Sequence, residues 1–100
     1  MRMDVKQGSV VMSIAGHDKG RLHAVYEVND PYVLLIDGRR RPVEHPKRKK
    51  AIHTQLISTD SPLVHEHEAW TNRKVREAIR SVAHTVGDTD LMKEDSYVKR

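Results

Sequence analysis

The 100-residue sequence contains no cysteine and no phenylalanine, and only one tryptophan and three tyrosines. Without cysteine the chain can form neither a disulfide nor a thiolate metal site, which is typical of a reducing compartment. Packing must therefore rely on Val, Ile, Leu and Met. No apolar run approaches the roughly 20 residues of a membrane span, and no apolar stretch follows residues 1–6 as a signal peptide requires. We expect a soluble, cytoplasmic protein without a membrane partner.

Positive charge is concentrated in two parts of the chain. The net charge is +4, but residues 1–57 carry eleven Lys/Arg against six Asp/Glu, and residues 71–86 carry four against one. Residues 39–50 alone contain seven Lys/Arg and one Glu. Clustered cations of this kind are typical of proteins that bind nucleic acid. A merely solubilising surface is the alternative interpretation.

Short apolar runs separated by turn residues predict a mainly β fold. The expected strands cover residues 10–15, 22–28, 32–36, 39–43 and 52–57. The strand at 32–36 is apolar on both faces and should be central, whereas Pro42 should confine the returning strand to an edge. Residues 45–50 are too basic to bury themselves and are expected to form a loop. Several short strands with tight turns indicate a small antiparallel barrel.

A C-terminal helix is predicted over residues 71–86. Apolar residues recur there at helical spacing, Thr71 or Asn72 can cap the start, and Gly87 can end the helix. The apolar face is expected to dock on the barrel, with Arg73, Arg76 and Arg80 on the other face. We thus divide the chain into a barrel (1–57), a linker (58–70), a helix (71–86) and a tail (87–100) expected to be partly disordered.

The segment from residue 8 to residue 28 resembles a KOW motif, in which Gly20 matches the motif's glycine. The pattern continues through residues 27–34, Asp37-Gly38, residues 46–49 and His53. Over about residues 6–57 it resembles the KOW-type large-subunit ribosomal proteins of archaea and eukaryotes. The resemblance implies an SH3-like barrel that binds RNA, with rRNA and the ribosome as partners. Residues 39–41 are three successive arginines, which is more basic than the family pattern has at this point. The resemblance assigns no role to the chain beyond residue 57.

Candidate RNA-binding residues lie in the basic segment and in the first turn. Phosphates would relieve the repulsion among the cations, and the binding would depend on salt. The candidates are Arg39, Arg40, Arg41, Lys47, Arg48, Lys49 and Lys50, the turn residues Lys19 and Arg21, and His53. Gly16 and Gly20 are expected to shape the turn, since glycine takes positive φ without a Cβ penalty. The few tyrosines are expected in the core, which favours recognition of RNA shape and phosphates.

Patterns of catalysis and metal binding are missing from the sequence. The tightest cluster of possible ligands, residues 65–68, holds two histidines and two glutamates without the spacing of a four-ligand zinc site. There is no P-loop and no Gly-x-Ser-x-Gly, and side chains fill the interior of so small a barrel. We expect no enzyme, metal, cofactor or small-molecule substrate.

The main hypothesis is a non-catalytic RNA-binding protein that engages ribosomal or other structured RNA. The alternative is a protein-interaction module that docks onto a transcription or translation component through the barrel edge or helix residues 73–80. A third possibility is a barrel that binds DNA.

Overall fold

Within residues 5–86 the chain forms a five-stranded sheet followed by one α-helix. The computed structural model describes residues 5–86, and the predicted tail at 87–100 lies outside the described residues. In chain order the elements are β1 (Val10–Ser13), β2 (Leu22–Asn29), β3 (Tyr32–Ile36), β4 (Lys47–Lys50), β5 (Thr54–Ser58) and α1 (Asn72–Val86). Two short 3-10 helices, Ala51–His53 and Pro62–His65, precede and follow β5. Among residues 5–86 no helix has the length and apolar character needed to cross a membrane.

Every strand pair is antiparallel, and the strands lie in the order β4-β3-β2-β1-β5. Asp30 and Pro31 form the two-residue turn between β2 and β3. Within residues 5–86 the outer strands β4 and β5 do not pair with each other, so the sheet does not close. The expected mainly β fold with a C-terminal helix is confirmed. The open sheet is compatible with a small SH3-like barrel.

The sheet buries apolar side chains on both faces. On one face the three central strands contribute Val11, Val25, Val33 and Leu35, all fully or almost fully buried. Tyr26 shares the opposite face with Ala24 by ordinary alternation, and its ring packs edge-on against a tryptophan there. A bulge between residues 25 and 27 of β2 then returns Val28 to the face of Val25. Burying apolar surface on two sides stabilises a sheet that has only five short strands.

Helix α1 covers the second face of the sheet. The Thr71 hydroxyl accepts a hydrogen bond from the backbone N–H of Lys74 at 3.1 Å, so Thr71 provides the predicted cap. Val75 and Ala78 are buried in a cluster that also contains Ala24, Ile36 and Leu63. The expected docking of the helix's apolar face on the sheet is confirmed.

The strand predicted over residues 39–43 is wrong. The Asp37 carboxylate accepts hydrogen bonds from the backbone N–H groups of Arg39 and Arg41, at 2.8 and 2.9 Å. The Asn72 side chain accepts the N–H of Val43 at 2.8 Å. Side chains thus hold the donors that a returning strand would have given to β3, and the backbone turns instead of pairing.

The loop predicted over residues 45–50 is wrong as well, because its last four residues form β4. Lys47 pairs with Leu35 and Lys50 pairs with Tyr32, so four successive cations extend the sheet beyond β3. Their burial alternates along the strand. Long aliphatic stems allow lysine and arginine to cover apolar surface while their charged ends stay in solvent.

Residues 58–70, expected as a linker, pack against the sheet. Ser61 lies buried, and its hydroxyl donates to the Gly8 carbonyl at 2.7 Å and accepts from the N–H of Leu63 at 3.2 Å. The strand predicted at 52–57 begins two residues later, at Thr54, because Ala51–His53 forms a 3-10 helix. The division of the chain into four parts stays a prediction.

We expect Gly38→Ala to destabilise the fold far more than Gly16→Ala. Both glycines have φ near +80°, so alanine at either position costs about 1 kcal/mol of backbone strain. At Gly38 a Cβ would also collide with the Asn72 carbonyl and approach the Arg76 side chain to 2.8 Å, whereas at Gly16 its nearest neighbour is Lys49 Nζ at 3.8 Å.

Urea unfolding should show a loss of at least about 2 kcal/mol for Gly38→Ala and about 1 kcal/mol for Gly16→Ala. Equal losses would contradict a close approach of the turn to α1.

Candidate nucleic-acid interface

The turn between β1 and β2 exposes two of the candidate cations. Gly16 and Gly20 have φ of 81° and 88°, and the Gly20 N–H donates to the Ser13 carbonyl at 2.8 Å. The turn leaves Lys19 and Arg21 exposed to solvent. Gly16 and Gly20 thus adopt the conformation expected of residues that shape the turn.

Asp18, which directly precedes Lys19, is buried and points its carboxylate at the basic segment. Its side chain is 5% exposed, and Oδ2 lies 3.3 Å from Arg41 Nη2 and 3.8 Å from Lys47 Nζ. Burial by itself would raise the pKa of Asp18, but the charges of Arg41, His23 and Lys47, with the Arg41 hydrogen bond, lower it overall. The carboxylate is therefore ionised at neutral pH and holds two cations that the sequence assigned to RNA.

Two more cations of the basic segment also have partners within the fold. Lys49 Nζ donates to the Ala15 carbonyl at 2.9 Å, and burial lowers the pKa of Lys49. The Arg48 guanidinium lies over the Tyr32 ring, 4.4 Å from its centroid. The Tyr32 ring thus supports Arg48, a stacking arrangement that arginine's planar group favours.

The remaining candidates are exposed. Arg39, Arg40, Lys50 and His53 all face solvent, as Arg48 does beyond its contact with tyrosine. Among residues 5–86 no carboxylate lies within 4.0 Å of the Arg39, Arg40 or Lys50 side-chain nitrogens. The basic segment therefore divides into cations that stabilise the fold and cations that are available to a ligand.

A groove joins the first turn, the turn at Asp37 and helix α1. It has a volume of about 520 Å³, and five cations line it: Lys19, Arg21, Arg39, Arg76 and Arg80. The structure thus brings the first turn next to the start of the basic segment. It also adds two helix arginines that were not among the candidate RNA-binding residues. Their four-residue spacing, which places both on one side of a helix, is the signal that could have identified them.

His23 lies fully buried beside this groove. Its Nε2 is 3.9 Å from Asp37 Oδ2. Burial lowers the pKa of His23, and it outweighs the opposing effect of the Asp37 and Asp18 charges. His23 is therefore neutral at pH 7, and it belongs to the interior rather than to the exposed cationic surface.

The histidine and glutamate cluster at residues 65–68 contacts neighbouring polar side chains. His65 Nε2 lies 3.1 Å from Asp60 Oδ1, and Lys74 Nζ lies 2.9 Å from Glu66 Oε1. Within the described part of the chain no group of three or more His, Cys, Asp or Glu is arranged to hold a metal ion.

Comparison with known proteins relates the chain to a ribosomal protein. No model of a known protein family matches the chain. The chain is similar to the large ribosomal subunit protein uL24 of Nitrosospira multiformis, with 32% identity over 84 residues. The match covers 82% of this chain and 80% of that protein.

Replacement of Asp18 by asparagine should destabilise the fold because it leaves Arg41 and Lys47 without their counter-charge. Removing one partner of a buried, hydrogen-bonded charge costs about 2 kcal/mol when the other partners are a third exposed, as these are. Asp60→Asn is the matched control, because Asp60 and its partner His65 are both mostly exposed and their pair contributes at most about 0.5 kcal/mol. Equal unfolding free energies for the two variants would contradict the role given to Asp18.

Acidification below pH 6.5 should destabilise the protein through His23. Because the folded-state pKa of His23 lies below its ordinary value of 6.5, the unfolded chain binds more protons, and stability falls as the pH falls from there. The lowered pKa of Asp18 contributes to acid destabilisation only when the pH falls below the ordinary Asp18 pKa of 3.8.

The melting temperature should therefore be lower at pH 5 than at pH 7.5, and His23→Gln should flatten this dependence. His53→Gln, at an exposed position, should leave it intact. A melting temperature that rises on acidification would refute this assignment.

Proposed function

Since this chain belongs to the family of the large ribosomal subunit protein uL24, we propose that it is a non-catalytic RNA-binding protein whose ligand is rRNA. It would act in the cytoplasm, on the ribosome, through the exposed cations of the basic segment and the first turn. No cofactor or small-molecule substrate takes part in this function.

The observation that supports this proposal most directly is the surplus of exposed cations over carboxylates. Within residues 5–86, Arg39, Arg40 and Lys50 have no carboxylate within 4.0 Å, although their neighbours Arg41 and Lys47 share the buried Asp18. Uncompensated cations on neighbouring segments repel one another until an anion arrives. A phosphate backbone supplies evenly spaced negative charge, and the released counterions favour binding.

Arginine and lysine side chains would contact the phosphates in different ways. Arg39, Arg40 and Arg48 can each hold a phosphate with two parallel hydrogen bonds, while Lys50 acts as a point charge. The Tyr32 ring beneath Arg48 limits the positions of that guanidinium before RNA arrives. A preorganised side chain loses less conformational entropy on binding.

The tyrosines in the described part of the chain leave little surface for stacking bases. Tyr26 packs edge-on against Trp70, with 6.0 Å between ring centroids, and Tyr32 is half-buried beneath Arg48. A reader of single-stranded sequence needs free aromatic faces. Recognition of the shape and phosphates of folded RNA therefore fits the barrel surface better.

Binding of large-subunit rRNA should weaken steeply as salt is raised. For the double variant Arg48→Ala/Lys50→Ala, affinity should fall at least tenfold. The slope of log affinity against log salt should become shallower by about 0.7–0.9 for each phosphate that the variant no longer neutralises. Filter binding between 50 and 300 mM KCl measures both quantities.

Lys6→Ala/Arg73→Ala is the matched control, because it removes the same charge from exposed positions on other segments and should leave the slope unchanged. A flat salt dependence for the wild-type protein, or equal effects of the two double variants, would refute the proposal. Partners that survive ribonuclease treatment of a lysate would favour the protein-interaction module. Tighter binding to duplex DNA than to rRNA would favour the DNA-binding barrel.

A further inference from the structure

The groove between the first turn and α1 combines a cationic rim with an apolar floor. We propose that it binds one unstacked nucleotide of the RNA, with the phosphate on the rim and the base on the floor. This inference rests on the proposed function and adds helix α1 to the RNA-binding surface.

Contacts between α1 and the sheet fix the shape of the groove. Arg76 Nη1 donates to the Gly38 carbonyl at 2.8 Å, and Gly38 itself lies against the first turn of the helix. Val75 and Ala78 anchor the helix in the core below. The two walls are therefore held together in the absence of RNA, which lowers the cost of binding.

The rim carries cations from both walls. Lys19, Arg21 and Arg39 are exposed on the sheet side, and Arg80 is exposed on the helix side. Among residues 5–86, the only carboxylate in the lining is that of Asp37.

Among the described residues of the lining, the single carboxylate of Asp37 is outnumbered by five cations. Its Oδ1 accepts the N–H groups of Arg39 and Arg41, and its Oδ2 faces the buried His23. The field inside the groove is therefore positive, and an anion is the ligand it favours.

The floor is apolar. Met12 and Leu22 contribute from the sheet side, and Ile79 and Ala83 contribute from the helix, each half-buried. Binding of a phosphate alone would not need an apolar floor. A base has a flat apolar face, and contact between that face and the floor removes apolar surface from water. The volume of about 520 Å³ lies within the range of sites that hold small organic molecules.

An unstacked nucleotide matches both features at once. Folded RNA presents such nucleotides in bulges and loops, where proteins bind them away from the helical stack. The exposed arginines of the rim can donate hydrogen bonds to the phosphates on either side of the base. An acidic peptide is another anion that could enter the groove, and a polyglutamate peptide serves as the probe for it.

Two RNA hairpins test the inference: one carries a single unpaired nucleotide as a bulge, and the other is fully paired. In fluorescence anisotropy the wild-type protein should bind the bulged hairpin at least fivefold more tightly. Ala83→Trp, which fills the groove without changing charge, should abolish that preference. Ser81→Trp adds the same ring at an exposed position of α1 outside the groove lining and should keep it.

A second pair of variants tests the rim. Arg80→Ala should weaken binding to the bulged hairpin at least threefold. Arg73→Ala removes the same charge from the same helix, but Arg73 pairs with Glu77 at 3.1 Å and does not line the groove. It should bind as the wild type does. Thermal unfolding of all four variants establishes that each is folded.

The outcomes separate this inference from the proposed function. Equal binding of the two hairpins, or equal behaviour within each variant pair, overturns the nucleotide site while salt-dependent rRNA binding can stand. Absence of binding to either hairpin and to rRNA overturns both. If Arg80→Ala weakens binding of a polyglutamate peptide but leaves the RNA affinities unchanged, the groove is a peptide site and the inference fails.

Discussion

Asp18 places one buried negative charge beneath a surface that is otherwise positive. Its carboxylate joins the β1–β2 turn to Arg41 and to Lys47 at the start of β4. Without that charge, the turn and the basic segment would repel each other across the sheet edge. The same ion pairs also determine which cations stay free, because a guanidinium held by a buried carboxylate is less available to a phosphate.

The apolar pattern was sufficient to predict most of the fold. The strand at residues 32–36 is a continuous apolar run, and the helix at 72–86 has strong helical periodicity. Both formed within one residue of the expected bounds. The resemblance to large-subunit ribosomal proteins was confirmed at the family level, with a relative from a bacterium rather than from archaea or eukaryotes. The apolar pattern is a local signal, and the family resemblance extends over a long stretch of chain. Neither signal depends on side-chain contacts between residues far apart in the sequence.

The errors came from contacts that the apolar pattern does not reveal, some of them between residues far apart in the sequence. The local sequence favours a strand at 39–43, but the side chains of Asp37 and Asn72 accept the backbone N–H groups that such a strand would use for pairing. Four successive cations predict a loop from the local sequence, yet they pair with the edge of β3 and form β4. Likewise, nothing in the order of the residues distinguishes Lys47, held by Asp18, from Lys50, which is exposed; three-dimensional contact alone separates them.

The composition of β4 has one more consequence. An outermost strand offers a row of unsatisfied backbone groups to any passing extended chain, and such edges promote aggregation. Of the two outermost strands, β4 reads Lys-Arg-Lys-Lys, so two molecules that met through their β4 edges would bring eight basic side chains into one ladder. The charges proposed to attract RNA therefore also disfavour self-association through the β4 edge of the open sheet.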